Sequence, residues 1–251
     1  MPARHRAGGY AIIPVTTGYQ LDEEERAVHL LLAGNVDGLI LVVSNPSTSA
    51  ALARLRATGT PYVLAYNRHP DHPCVTVDGE AAVADAVTRL VLLGHRRIAM
   101  VSGTLAASDR AQQRYRGYKK GMVDAGLKAP PLIEVPFVES AVDTLANVLQ
   151  ADARPTALIC SNDLLAIRSI RAAHLSDLSV VGFDGIALGE DLTPALTTIA
   201  QPNSDIGRHS VELLIQAMAG GATLQADASL LLPYFFRDGE SCASACDIAI
   251  D

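Results

Sequence analysis

No uninterrupted apolar run in this chain approaches the roughly 20 residues that crossing a bilayer as a helix requires, so no membrane partner is expected. A basic block is missing as well. Lys and Arg number 20 against 27 Asp and Glu, for a formal charge of −7, and the cations are scattered. Gripping a nucleic-acid backbone takes clustered cations, because the affinity comes from counterion release; the chain is not expected to bind DNA unaided. The opening residues, MPARHRAGGY, have neither an apolar h-region nor a small-residue cleavage site, which makes the cytoplasm the expected compartment.

Four cysteines in 251 residues do not form a disulfide framework. Cys74 and Cys160 lie in apolar, strand-like runs and read as core, whereas Cys242 and Cys246 read as thiols of a flexible tail. The stretch HPDHPC holds metal-ligand residue types in His69, His72 and Cys74, but its two prolines make it a loop, and no metal is expected. Neither phosphate-cradling glycine loop occurs, G-x-x-x-x-G-K-S/T or G-x-G-x-x-G, nor do the hydrolase motifs H-E-x-x-H and G-x-S-x-G. No cofactor and no catalytic residue is expected, and a non-enzyme is the leading expectation.

What is present is a chain with 49% hydrophobic and 19% charged residues, enough to build one large or two medium domains around a proper core. Short apolar runs alternate with stretches of helical period. The expected strands are 10–15 (YAIIPV), DGLILVV ending at Val43, 61–66, 96–102, 132–137, 156–161 and 178–183. Continuous hydrophobic strands of this kind are buried on both faces and predict parallel sheet. Helices are expected from Asp22 to Ala33, from Gly79 to a C-terminal Gly94, from Arg110 to Ala125, from Asn162 to Ala172, and from a Ser204 cap to Gly220-Gly221. The fold class is therefore α/β and doubly wound, and two sheets suit the length better than one.

In such sheets the ligand sits beyond the carboxyl ends of the strands. Polar residues gather there: Asp78 after VTV, Ser161, Asn162 and Asp163 after ALIC, Asp184 after VVGF and Gln201 after TTIA. One such residue is an ordinary helix cap, and Ser161 and Asp163 are read that way. Four separate strand ends with carboxylate or amide groups suit a hydroxyl-rich ligand, with Arg114 as a matching cation. Arg110 and Arg116 are read as solvated helix face.

The segments LGHRRIAMVSG (93–103), RYRGYKKGMVDAGL (114–127), PTALICSNDLLAI (155–167), LSVVGFDG (178–185) and PALTTIAQPNSDIGRHSVELL (194–214), with DGLILV at 37–42, run in order over nearly the whole chain. Together they resemble the effector-binding core of LacI/GalR-type transcriptional regulators. The resemblance implies a type I periplasmic-binding-protein-like clamshell of two doubly wound parallel-sheet lobes. It puts residues 1–94 and 202–223 in the N-terminal lobe, 95–201 and 224–241 in the C-terminal lobe, and 242–251 in a tail. It assigns ligand contacts to Asp78, Arg114, Asn162, Asp184 and Gln201, with Phe137 as a ring stacked on the ligand. A small-molecule effector such as a sugar, a homodimer, and operator DNA reached through a separate helix-turn-helix headpiece are the implied partners.

Measured against the family pattern, the headpiece, the first core strand and most of the following helix are expected to be missing ahead of Arg4–Gly9. The turn at Ala173–Leu178 is short for the family, and the residues after Arg237 do not match it. Two other functions compete with a ligand-sensing regulator: a periplasmic solute-binding protein of the same fold, and a sugar-acting α/β enzyme.

Overall fold

The computed structural model describes residues 9–18, 20–135, 145–146, 154–172, 178–221 and 223–245. Two sheets form, as expected. The first holds β1 (Leu39–Leu41), β2 (Tyr62–Ala65), β3 (Cys74–Val77) and β9 (Leu230–Leu232) in the order β1-β2-β3-β9, all parallel. The second holds β4 (Ile98–Ser102), β5 (Ile133–Glu134), β6 (Ala157–Cys160), β7 (Ser179–Asp184), β8 (Thr197–Ala200) and β10 (Phe235–Arg237) in the order β10-β8-β7-β6-β4-β5. All its pairings are parallel except β10 with β8. Every residue of β2, β3, β4, β6 and β8 is buried, which is why these strands read as continuous apolar runs rather than alternating ones.

The helices that lie wholly among the described residues are α1 (Leu21–Ala33), α2 (Ala50–Thr58), α3 (Gly79–Leu92), α4 (Asp109–Asp124), α5 (Asp163–Ala172) and α6 (Asn203–Gly220). Their buried stripes follow the 3.6-residue period. In α3 the stripe is Ala82, Val83, Ala86, Val87 and Leu90; in α6 it is Ile206, Ser210, Leu214 and Ala217. The expected cap at Ser204 lies instead at Pro202, whose fixed φ suits a helix entry. Among the described residues no helix is long and apolar enough to cross a membrane.

Four expectations are corrected. Residues 10–15 pair with no strand of either sheet, and Tyr10, Ile12, Ile13 and Val15 stand exposed, because β-propensity makes no strand without a neighbour to supply the ladder. The run 224–241 does not belong wholly with the second sheet: β9 extends β3 of the first, and only β10 joins the second. Helix α3, expected with the first lobe, packs on α4 and against β6 and β8 of the second sheet. Finally, the chain after 240 is docked rather than loose as far as 245. The Ser241 hydroxyl donates to Val180 O at 2.7 Å, Ala243 N–H donates to Ser179 Oγ at 3.1 Å, Ala245 N–H donates to Leu93 O at 2.8 Å, and Cys242 packs on the core.

The chain thus crosses between the sheets after β3, after β8 and after β9. Asp78, Gln201-Pro202 and Pro233-Tyr234 stand at these three crossings.

Candidate functional site

Helix α4 begins with Ser108, whose hydroxyl accepts Ala111 N–H, and runs so that Arg110 and Arg114 stand one turn apart on one face. The next small residues on that side, Gly117 and Gly121, let α4 press against α3. A Cβ at Gly117 would collide with the Glu80 carbonyl, and one at Gly121 would meet Val87 at 2.8 Å. This close seat of α4 holds Arg114 under the carboxyl ends of β6 and β7. Its guanidinium lies 3.6 Å from the centroid of the Phe183 ring, donates to Ser161 O, and reaches Asp184 Oδ1 at 3.3 Å.

Asp184 closes β7 with φ at +117°, a backbone conformation that only a surrounding of fixed contacts keeps a non-glycine residue in. Those contacts are Gln201, whose Nε2 donates to Oδ1 at 2.9 Å, Asn203, whose Nδ2 donates to Asp184 O at 3.1 Å, and Arg114. Burial raises its carboxyl above the usual range, with Arg114 and Gln201 working the other way. Tyr66, the residue after β2, also has positive φ, at +66°.

Both strained residues line one cavity of about 610 Å³ between the carboxyl ends of the two sheets. From the first sheet's side come Gln20, Val42 and Tyr66; from the other come Arg110, Arg114, Asn162 and Asp184. Gln201 and Asn203, at the second crossing, complete the polar wall, while Ala107, Ala111, Leu164 and Ile186 give it apolar surface. Hydrogen-bonding groups placed over apolar walls suit a small ligand with hydroxyls on its edges and a hydrophobic face.

Four expected site residues, Arg114, Asn162, Asp184 and Gln201, therefore converge in this cavity. Asp78 does not reach its lining. It caps α3 at the first crossing, accepting Ala81 N–H at 3.0 Å and the Arg68 guanidinium at 2.6 Å. Burial works against its charge, but these two donors hold the carboxyl below its ordinary value. Phe137 lies outside the described residues. Asp163 is not the helix cap read from the sequence: Asn162 caps α5, accepting Leu165 N–H at 2.8 Å, and Asp163 opens the helix and bonds elsewhere. Its Oδ2 accepts Ile186 N–H at 2.8 Å and its Oδ1 the Thr198 hydroxyl, tying α5 to β8.

Sequence reasoning missed Tyr66 and Arg110. The i, i+4 spacing of Arg110 to Arg114 was the available signal, and it corrects the reading of Arg110 as solvated. Arg116, two residues on, is exposed and pairs with Glu80. Among the described residues no three His, Cys, Asp or Glu side chains stand close enough to hold a metal. His72 in the HPDHPC loop meets the Tyr62 hydroxyl through Nδ1 at 2.6 Å.

Residues 87–242 match the family described as periplasmic binding protein-like domain. Catabolite control protein A of Priestia megaterium is 31% identical over 220 residues, covering 83% of this chain and 66% of that protein, so the chain spans just under two thirds of this relative's length. A lac repressor dimer bound to operator and the anti-inducer ONPF superposes with a TM-score of 0.81 at 27% identity, over 94% of this chain and 84% of the other. The complex of the transcriptional regulator CelR with cellobiose does so with a TM-score of 0.75 at 25% identity, over 88% and 70%. The chain belongs to the periplasmic binding protein-like domain family, in the form that LacI-type transcriptional regulators carry as their effector-binding core.

Proposed function

We propose that this chain is the ligand-sensing core of a cytoplasmic LacI-type regulator, a repressor, and that a small sugar-like metabolite binds in the cavity between its lobes. The observation that carries the reading is the convergence of Arg114, Asn162, Asp184 and Gln201 on one cavity of about 610 Å³, where Arg114 and Gln201 both donate to the Asp184 carboxylate. A guanidinium beside a carboxylate and two amides bonds vicinal hydroxyls, and the Tyr66 ring and Leu164 offer apolar cover. The cellobiose named with the CelR structure supports a sugar as the ligand class.

On this reading the described residues up to 77 and within 202–232 make the first lobe, those within 78–201 and 233–245 make the second, and the three crossings are hinges. A ligand touching both lobes favours the closure that lets all its contacts form, and that closure is what a helix-turn-helix headpiece of the family type would read out at operator DNA. The operator bound by the lac repressor relative, and its dimeric state, support operator DNA and a homodimer as partners here.

The test is calorimetry of the chain against cellobiose and a panel of mono- and disaccharides, repeated with Arg114→Ala and Asp184→Ala. Losing a charged hydrogen bond from such a site costs on the order of 1.5–3 kcal/mol, so each variant is expected to bind about ten- to a hundredfold more weakly. Sugars that bind both variants as tightly as the parent would overturn the site.

A further inference from the structure

Behind the cavity wall the lobes meet through a knot of buried polar groups centred on the backbone of Val43 and Ser44, just past β1. From the first lobe, Asn67 accepts Val43 N–H with Oδ1 at 2.9 Å and donates from Nδ2 to Val43 O at 2.8 Å. Glu24 of α1 accepts the Ser44 N–H and hydroxyl at 2.8 and 2.6 Å. The start of α4 brings the second lobe to the same place. Asp109 N–H donates to Ser44 O at 2.8 Å, Arg110 Nη1 donates to Val43 O at 2.8 Å, and Asn67 Nδ2 donates a further bond to Asp109 Oδ1 at 2.6 Å. Asn67 is 0% exposed and Asp109 9%.

Three of these bonds cross from lobe to lobe, and Asn67 takes part on both sides. Its amide is fixed by the Val43 peptide, so its second proton can point only at the Asp109 carboxylate. That carboxylate also accepts Gln113 Nε2 at 3.1 Å and Arg110 Nη1 at 3.3 Å. A carboxylate this buried is costly without such donors, and burial does raise the Asp109 carboxyl above its usual range. The most deeply buried donor, Asn67, stands on the opposite lobe. The bond between them spans the cleft, joining the segment after β2 to the start of α4.

We propose that Asn67 and Asp109 are a positioning pair that holds the two lobes closed over the cavity. They touch none of its space themselves, yet their neighbours Tyr66 and Arg110 form its wall. The proposal deepens the reading of the interlobe cavity as a ligand site, but its test needs no ligand and so fails separately from that reading.

Amide hydrogen exchange on the 251-residue chain reads the closure directly. The N–H of residue 109 is the first of α4 and has no acceptor within its own helix, so its protection comes from Ser44 O on the other lobe. In the parent chain this amide is expected to be protected. Asp109→Ala removes the acceptor while Asn67 keeps its Val43 partners, and Asn67→Asp turns the donor into a second carboxylate facing Asp109. Each is expected to speed exchange at position 109 about tenfold or more, because a charge-assisted bond is lost. Leu64 of β2 and Ile159 of β6 should keep their protection, which a general loss of structure would not spare. If one variant loses protection throughout, the other decides. An amide at 109 that is unprotected in the parent, or equally protected in the parent and a folded variant, would overturn the pair's role.

Discussion

His72 and Asp184 show how one cause, burial, moves two residues in opposite directions. Burial removes the water that stabilises charge, so the His72 imidazole, 5% exposed against the Tyr62 hydroxyl, is pushed down to about 4, while the Asp184 carboxyl is pushed up. Between about 4 and the ordinary histidine value of 6.5, the unfolded chain binds a proton at His72 that the folded chain does not. The stability contributed by the neutral ring is thus present above pH 6.5 and lost as the pH falls toward 4. Urea unfolding across this range should show a flatter pH profile for His72→Gln than for the parent, with a cost at pH 7 of about 1 kcal/mol for the altered hydrogen bond. His95, also pushed down by burial, leaves a residual slope in both. Identical slopes would show that the His72 ring is solvated. At Asp184 the sign is reversed: its carboxyl favours the folded chain most when protonated, below 3.8, and that contribution fades as the pH rises through its folded value.

Among the elements, α4 matters most to the site, because it carries Arg110 and Arg114 and is seated by two glycines. Gly117 has backbone on the other side of it, the Glu80 carbonyl, which cannot swing away as a side chain could. Gly117→Ala should therefore push α4 from α3 and destabilise the chain by about 2–3 kcal/mol, as overpacking does. Gly207 in α6 makes the opposite case. It is exposed, and a Cβ there meets nothing within 4 Å, so Gly207→Ala should stabilise by roughly 0.5–1 kcal/mol through helix propensity alone. Urea midpoints for the two variants check both. Equal shifts for the two would mean that α3 and α4 are not packed this closely.

At the scale of the whole molecule, each sheet has a buried apolar cluster of its own, and a third cluster is common to both. A single buried cluster runs from Val63, Val75 and Val77 of the first sheet through Val83 and Val87 of α3 to Met100, Ile159, Phe183 and Ile199 of the second. With α3 leaving the first sheet at Asp78 and packing on the second, this shared cluster is completed only by both sheets together. Thermal unfolding followed by far-ultraviolet circular dichroism and by tyrosine fluorescence should give coincident, single transitions. Two resolved transitions would show that the lobes fold independently and that the shared cluster contributes little to stability.

The sequence by itself determined the period and the punctuation. Buried apolar runs marked β2, β4, β6 and β7, the polar residues after them marked the strand ends, and the spacing of the LacI-like motifs singled out Arg114, Asn162, Asp184 and Gln201, because these depend on local order along the chain. Only the tertiary structure decided partnership. It left residues 10–15 without a ladder, sent 230–232 and 235–237 to different sheets, packed α3 against the second sheet, and turned Asp78 from the cavity to a helix cap held by Arg68. It also brought Tyr66 and Arg110 to the cavity and set Asn67 against Asp109, 42 residues apart in sequence. A hydrogen bond or a packed face needs two surfaces, and the pattern of one segment says nothing of which distant segment will supply the second.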